Sequence, residues 1–273
     1  MREDLKNPSS LKSSVSRALY EKTRGGTLYP DDVLSSARTS SVLFLMGPNC
    51  SDQKADSSPC VIFNKRSAKV KQAGDLCFPG GRVSPRLDFF LSALLSWPFS
   101  PLRRWAYWPR WQRKGVEESR RLGLLLATSL RESVEEMRLN PLGVTFLGPM
   151  PSQDLRLFQR VLYPMVVWIK RQRRFFPNWE VEKIVRVPLR KLLDPDAYAL
   201  YRIRFQDQRR GMFVQNFPCF RHENGTEKEI LWGVTYRIVM AFLTLVFGFE
   251  PPAQESLPVI QGSMDENYLN GAG

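Results

Sequence analysis

Runs of apolar residues separated by turn-forming residues divide most of the chain into short strands and two long helices. Alternating or continuous apolar stretches bounded by Gly, Pro, Asn and Asp predict strands. The predicted strands are 41–46, 60–64, 144–147, 162–169, 181–187, 198–205 and 212–220. Apolar residues that recur every three or four positions predict helices, at about 117–139, 189–193 and 229–246. This mixture of strands and helices predicts an α/β fold.

The two ends of the chain lack this pattern. Residues 1–38 are polar and charged apart from a short helix predicted over 11–21, so they are interpreted as a leader before the main domain at 39–249. Pro, Gly and acidic residues predict a flexible tail over 250–273. No secretory signal is evident in residues 1–20, and the apolar run 238–249 is shorter than the roughly 20 residues that span a bilayer.

The helix predicted over 117–139 carries an acidic cluster. Glu132, Glu135 and Glu136 stand at positions i, i+3 and i+4 and share one helical face, with Arg131 just before them. Like charges stacked at i, i+4 repel by roughly 0.2–0.5 kcal/mol per pair. Hard divalent cations such as Mg²⁺ neutralise carboxylates, usually together with substrate phosphates. A solvated acidic face is the alternative interpretation.

A glycine pair precedes this helix. The segment Phe78-Pro79-Gly80-Gly81 follows an apolar stretch, and two glycines permit a sharp turn and a close approach of the backbone to a ligand. A Gly-Gly turn followed by a helix with Arg-Glu-x-x-Glu-Glu resembles the box of Nudix hydrolases. The resemblance implies an α/β/α sandwich with a mixed sheet and a Mg²⁺ or Mn²⁺ cofactor. It implies that Arg131 orients the carboxylates and that the catalytic metal is held by Glu132, Glu135, Glu136 and the Gly81 carbonyl.

A narrower resemblance covers about residues 40–245. Segments 62–67, 74–81, 127–132, 180–195 and 230–238 are similar to coenzyme A pyrophosphatases. This resemblance implies hydrolysis of the diphosphate of coenzyme A or its acyl esters. Glu180 or one of the helix glutamates would activate the attacking water. The substrate would be contacted by Arg66, Lys71, Gly80 and Gly81.

Three features of the sequence depart from the family pattern. Gly81 and Arg131 are separated by 49 residues, far more than in the usual box, so an insertion at about 89–116 splits the motif. Asp88 is the carboxylate nearest to the upstream acidic position, and Arg138 stands where the box usually has Gly. Two alternatives therefore stay open. The first alternative is that the same scaffold hydrolyses another substrate, such as ADP-ribose or a dinucleotide. The second is that the protein is non-catalytic and binds membranes or nucleotides.

The insertion is rich in aromatic and basic residues and holds four of the seven tryptophans. Such a segment suits three roles, namely a lid packed over the site, contact with a membrane interface, or stacking on single-stranded nucleic acid. We predict an aromatic and basic helical flap beside the site. Replacing residues 90–115 with a short linker is expected to preserve folding.

Composition adds constraints on partners and compartment. The formal net charge of +13 favours anionic partners, which include nucleotides, polyphosphates, nucleic acid and acidic membranes. Four cysteines without a CxxC spacing indicate reduced thiols in a cytoplasmic compartment rather than a zinc site or a disulfide framework. The chain has a single histidine, His222, so a site of several histidines is excluded. His222 is expected in a surface loop. The predicted partner is a small diphosphate, with peripheral membrane contact through the insertion as a further hypothesis.

Overall fold

A computed structural model describes residues 5, 7–34, 36–48, 58–155, 159–207, 211–262 and 268. Strands β1 to β12 span Thr39–Gly47, Cys60–Arg66, Leu76–Cys77, Gly80–Arg82, Val144–Pro149, Gln153–Leu155, Arg160–Ile169, Val181–Pro188, Tyr198–Asp207, Gly211–Asn224, Glu227–Leu231 and Val259–Gly262. Helices α1 to α6 span Pro8–Thr23, Pro85–Leu94, Trp108–Gln112, Val116–Met137, Leu189–Leu192 and Gly233–Phe247. The strands and the helices predicted for the main domain are therefore present, with shifted ends.

The strands of the described ranges form two sheets. The larger has the central order β3-β2-β1-β7-β5, to which β4, β6 and β8 add by pairing with β1, β7 and β2. Strand β1 runs parallel to β7 and antiparallel to β2 and β4, so this sheet is mixed. The smaller sheet has the order β11-β10-β9-β12.

The central strand β1 separates two apolar cores, because successive side chains of a strand point to opposite faces. Phe44 and Met46 belong to the core that includes α1 and α6. Leu43 and Leu45 belong to the core that includes α4 and the inserted tryptophans. Helices thus cover both faces of the larger sheet, and the predicted α/β/α sandwich with a mixed sheet is confirmed.

Both end segments contribute more to the fold than the sequence indicated. Leu11, Val15 and Leu19 of α1 are fully buried, so the predicted polar leader contains a core helix. Its apolar residues recur every four positions and form a narrow stripe, which the many polar residues between them conceal. Part of the predicted flexible tail forms β12, and the hydroxyl of Tyr268 donates a hydrogen bond to Asp75 at 2.5 Å.

The second long helix begins later than predicted. Residues 227–231 form strand β11, and α6 starts at Gly233, which has a φ of +65°. The pairing of β11 with β10 also corrects the position of His222, which lies in β10 opposite Glu229 and not in a loop. A partner strand supplies hydrogen bonds that periodicity along one segment does not reveal.

The insertion lies between β4 and α4 and contains α2 and α3, so the predicted helical flap is present. Trp105, Trp108 and Trp111 are nonetheless buried in the core beneath α4. The indole Nε1 of Trp105 donates to Ser16 Oγ and to the Leu147 carbonyl, both at 3.0 Å. The expectation that residues 90–115 can be replaced without loss of folding is therefore wrong, since these residues are shared with α1 and β5.

Two further expectations concern thiols and membrane spans. Cys77 and Cys219 are free thiols, and Cys50 lies outside the described residues. Among the helices of the described ranges, none combines the length and the apolar character needed to cross a bilayer.

Two tryptophans of the insertion provide a matched test of its packing. Trp111 has no exposed surface, whereas Trp97 is 66% exposed. We expect Trp111→Ala to lower the free energy of unfolding by about 3–5 kcal/mol, because it leaves a large cavity. Trp97→Ala should change it by less than about 0.5 kcal/mol. Urea denaturation of both variants checks this, and equal stabilities would show that the insertion is not part of the core.

Candidate metal and catalytic site

The predicted metal ligands lie in the last two turns of α4, which ends at Met137. Arg138 adopts a left-handed conformation with a φ of +56°, and its N–H donates to the Val134 carbonyl at 3.0 Å. Glycine adopts this conformation readily, whereas an L-amino acid with a side chain adopts it at a cost of roughly 1 kcal/mol in conformational free energy. The position at which the family box usually has glycine is thus a helix C-cap here, and Arg138 fills it with some strain.

The glycine pair lies in β4, between β1 and α4. A Cβ on Gly80 would stand 2.4 Å from the Ser41 carbonyl oxygen, and a Cβ on Gly81 would meet Glu132 Oε1. Gly80 therefore needs glycine because of its contact with the β1 backbone, and a side chain on Gly81 would displace the Glu132 carboxylate. The two halves of the split motif meet in space although 49 residues separate them in sequence.

Arg131 is the centre of an ionic network. Its Nε donates to Asp88 Oδ1 at 2.7 Å, and its two Nη atoms form ion pairs with Glu132 at 2.9 Å and Glu135 at 3.2 Å. Burial alone would lower the pKa of Arg131, but the hydrogen bond to Asp88 and the charge of Glu132 raise it. The guanidinium is accordingly a permanent cation that orients three carboxylates.

Asp88 is fully buried in α2, just before the insertion. Its Oδ2 accepts hydrogen bonds from Thr128 Oγ1 at 2.8 Å and from the Ser84 N–H at 2.7 Å. Asp88, the carboxylate nearest in sequence to the upstream acidic position of the box, therefore contacts Arg131 directly. The insertion follows Asp88 and leaves this contact intact.

Glu136 is held by two hydrogen-bond donors. Its Oε2 accepts from Asn64 Nδ2 at 2.6 Å, and its Oε1 accepts from the Gly80 N–H at 3.1 Å. Burial raises the pKa of Glu136 to about 7 although both hydrogen bonds lower it, and the charges of Glu132 and Glu180 raise it further. Burial also raises the pKa of Glu132, against the attraction of Arg131. Both carboxylates thus lie where additional positive charge would be stabilising.

The donor set fits a hard divalent cation completed by other ligands. Among the described residues, no group of three Asp, Glu, His or Cys side chains is placed to hold a metal ion by itself, so Glu132, Glu135 and Glu136 do not converge on one point. Mg²⁺ usually takes one or two carboxylates and completes its shell with water and substrate phosphates. The buried Oδ1 of Asn64 has no hydrogen-bond partner and is a further oxygen donor beside Glu136. Glu135 is exposed and paired with Arg131, so it would have to exchange this partner to become a ligand.

The predicted substrate-binding residues Arg66 and Lys71 lie in and after β2, where Arg66 Nε donates to the Lys71 carbonyl at 2.7 Å. Arg66 also hydrogen-bonds the thiol of Cys77, and burial raises the pKa of this thiol to about 12. The Cys77 thiol is close enough to Glu136 for the two to interact electrostatically. Arg66 is therefore near the carboxylates, and Lys71 is exposed at the turn.

Two contributors to the site were missed from the sequence. Asn64 ends an otherwise apolar stretch of β2 and is buried. A polar residue in such an apolar stretch needs a hydrogen-bond partner, and this could have indicated Asn64 from the sequence. The contact of α4 with the loop before β8 was also missed, although Glu180 at the end of this loop was expected at the site. Its Asn178 N–H donates to the Glu136 carbonyl at 2.8 Å, and Ser67 Oγ donates to the Trp179 carbonyl at 2.8 Å. This loop places Glu180 near Glu136, and no short-range pattern indicates that contact.

Substitution of the two glycines should separate folding from metal binding. Gly80→Ala forces apart two backbones and should lower the free energy of unfolding by roughly 3 kcal/mol. Gly81→Ala meets the end of the flexible Glu132 side chain, so the fold should survive while the carboxylate is displaced. We expect Mn²⁺ binding to Gly81→Ala to weaken at least about tenfold in titrations followed by electron paramagnetic resonance. Unaltered Mn²⁺ affinity in Gly81→Ala would show that Glu132 is not a ligand.

Comparison with known proteins gives one curated relative and several solved structures. No family model matches the chain. A protein of Pectobacterium atrosepticum named uncharacterized Nudix hydrolase NudL is 25% identical over 185 residues, which cover 67% of this chain and 72% of that protein. A Nudix hydrolase structure from Alicyclobacillus acidocaldarius is 14% identical, with a TM-score of 0.38, and the match covers 58% of this chain and 82% of that one.

A Nudix hydrolase structure from M. smegmatis, RenU, is 13% identical with a TM-score of 0.34, covering 57% of this chain and 73% of that one. The relationship to NudL agrees with the residues that the fold brings together. Gly80 and Gly81 of β4 contact Glu136 and Glu132 of α4, and Arg131 joins Glu132 and Glu135 to the buried Asp88. The chain is thus similar in sequence to a Nudix hydrolase over 67% of its length, and its Gly80-Gly81 pair and α4 glutamates are the residues that carry the resemblance to the Nudix box.

Proposed function

We propose that the protein is a Mg²⁺- or Mn²⁺-dependent hydrolase of a diphosphate linked to a nucleoside, and that its substrate is coenzyme A or an acyl-coenzyme A. One observation carries the proposal. Glu132 of α4 packs against Gly81 and pairs with Arg131, which is itself bonded to the buried Asp88. A solvated acidic face would need neither the glycine contact nor the buried counterion.

The roles of the residues follow from their contacts. Glu132, Glu135, Glu136 and the Gly81 carbonyl are the proposed metal ligands, and the bound metal would neutralise the diphosphate and lower the pKa of the attacking water. Asn64 and the Gly80 N–H hold the Glu136 carboxylate in place. Arg131 keeps the carboxylates of Glu132 and Glu135 from separating. Glu180, which interacts electrostatically with Glu136, is the proposed acceptor of the proton of the water.

The choice of coenzyme A is supported by contacts among the segments that resemble coenzyme A pyrophosphatases. Trp232 Nε1, from the segment that begins α6, donates to Asp75 Oδ1 at 2.9 Å. The Ser67 N–H donates to the Glu180 carbonyl at 2.9 Å. These segments are distant in sequence and contact one another in pairs, and Cys77 and Glu180 from two of them interact electrostatically with Glu136. Arg66 and Lys71 are the proposed phosphate contacts, and the net charge of +13 favours an anionic substrate.

A substrate panel tests this proposal. We expect the purified protein with Mg²⁺ or Mn²⁺ to cleave coenzyme A into adenosine 3′,5′-bisphosphate and 4′-phosphopantetheine. Its kcat/KM should be higher for coenzyme A than for ADP-ribose or dinucleoside polyphosphates. Preference for one of these competitors would refute the coenzyme A assignment and retain the hydrolase. Failure to cleave any member of the panel would favour the non-catalytic alternative.

Removal of single ligand charges tests the metal site. Glu132→Gln, Glu135→Gln and Glu136→Gln should each reduce hydrolysis at least about a hundredfold, or roughly 2.7 kcal/mol in the barrier, with the fold retained. Glu117→Gln is the matched control because Glu117 is exposed on the same helix, and it should retain the parent rate. Parent-like turnover of both Glu135→Gln and Glu136→Gln would contradict the assignment.

Burial of Glu136 predicts a pH dependence of stability in the metal-free protein. Its pKa is raised from 4.5 to about 7, so between these pH values the folded state holds a proton that the unfolded state has lost. The free energy of unfolding should therefore fall by about 3 kcal/mol as the pH rises from about 4.5 to about 7. Urea denaturation with a chelator, at pH 5 and pH 8, measures this change.

The variant Glu136→Gln is the comparison for this measurement. It should lose most of the change, although Glu132, whose pKa is raised by burial, contributes a remainder of the same sign. Glu180 and Cys77 also face Glu136 and are unchanged in the variant. An identical pH dependence in the parent and in Glu136→Gln would show that the carboxyl of Glu136 is not titrating in this range.

A further inference from the structure

Exposed apolar side chains are concentrated on the outer surface of the insertion. Leu87, Phe90, Leu94, Trp97 and Phe99, here called the inserted patch, are between 39% and 79% exposed. They are five of the eleven large apolar side chains exposed among the described residues, and they lie within one short segment. Contiguous exposed apolar surface of this kind marks an interaction site in a soluble protein.

Helix α2 has an inner and an outer apolar face. Leu91 and Leu95 pack on the core beneath α4, and Asp88 on the same side binds Arg131. Leu87, Phe90 and Leu94 stand at i, i+3 and i+7 and therefore share a different, outward face. The inner face accounts for the folding of α2, so the outer face needs another explanation.

The turn after α2 holds the remaining two aromatic residues in a defined position. The Ser100 N–H donates to the Trp97 carbonyl at 3.0 Å, and Ser100 Oγ donates to the Leu95 carbonyl at 2.5 Å. Ser100 Oγ also accepts from the Arg103 N–H at 3.1 Å. Trp97 and Phe99 are therefore exposed on a hydrogen-bonded turn.

The charge of the insertion is entirely positive. Residues 89–116 contain no Asp or Glu, and they contain five cations, Arg103, Arg104, Arg110, Arg113 and Lys114. Arg103 and Arg104 are exposed and follow closely after Phe99 in the chain. A second copy of the same surface would bring like charges together, whereas an anionic surface would complement them.

We propose that the inserted patch docks the protein on a lipid bilayer that contains anionic lipid. Phe90, Trp97 and Phe99 enter the headgroup region, where aromatic side chains are favoured, and Arg103 and Arg104 contact the anionic headgroups. The proposal rests on exposed apolar area and charge and is independent of the hydrolase activity. Docking through α2 would place the α4 carboxylates next to the membrane, because Asp88 of α2 binds Arg131 of α4.

The test is co-sedimentation with vesicles in the absence of substrate. We expect the full chain to bind vesicles of phosphatidylcholine with about 30% phosphatidylglycerol at least tenfold more tightly than pure phosphatidylcholine vesicles, and less so at high salt. The triple variant Phe90→Ser/Trp97→Ser/Phe99→Ser should bind the anionic vesicles at least tenfold more weakly. Arg103→Gln/Arg104→Gln, which retains the apolar side chains, should lose most of the preference for anionic lipid.

The matched control is Leu142→Ser/Val214→Ser, which removes two similarly exposed apolar side chains outside the insertion and should bind vesicles as the parent does. Parent-like vesicle binding by the triple variant overturns the proposal, as does a parent that does not sediment with anionic vesicles. A parent that instead forms dimers in analytical ultracentrifugation, with dimers lost in the triple variant, also overturns it and assigns the patch to a second copy of the chain.

Discussion

The buried ion pair between Asp88 and Arg131 is the interaction on which the arrangement of the site depends. A carboxylate with no exposed surface is tolerated only when its hydrogen-bonding capacity is used, and here Arg131, Thr128 and the Ser84 N–H use it. Removal of Arg131 would leave the Asp88 carboxylate buried without its counterion. The same guanidinium reaches Glu132 and Glu135, so the fold of the insertion and the orientation of the acidic face are energetically linked.

Close backbone contact at the glycine pair is the second constraint. Gly80 allows β4 to approach β1, and Gly81 allows Glu132 to lie against β4. The long interruption between the two halves of the motif is compatible with this geometry because both ends of the insertion are anchored, one by β4 and the other by α4. Lengthening a connection has a small entropic cost, about 0.6 kcal/mol for each doubling.

The insertion itself has an inner and an outer layer. Trp105, Trp108 and Trp111 are shared with the main core, so the insertion is a rigid part of the domain rather than a detachable flap. This inner layer supports an outer layer of exposed aromatic and basic residues that the core does not need. One segment thus combines a structural role, through its buried tryptophans and Asp88, with a surface that is available for binding.

The sequence by itself determined seven of the described strands, the two long helices, the acidic face of α4 and the candidate glycine pair. Each of these depends on residues close together in the chain, which is why periodicity and a local motif sufficed to find them. The tertiary structure decided which distant residues meet. Asn64, Glu180 and Asp88 reach the α4 carboxylates from three other segments. The burial of α1 and of the inserted tryptophans, and the pairing of residues 227–231 as a strand, appear only in the tertiary structure. The reason is that burial and strand pairing depend on partners remote in sequence.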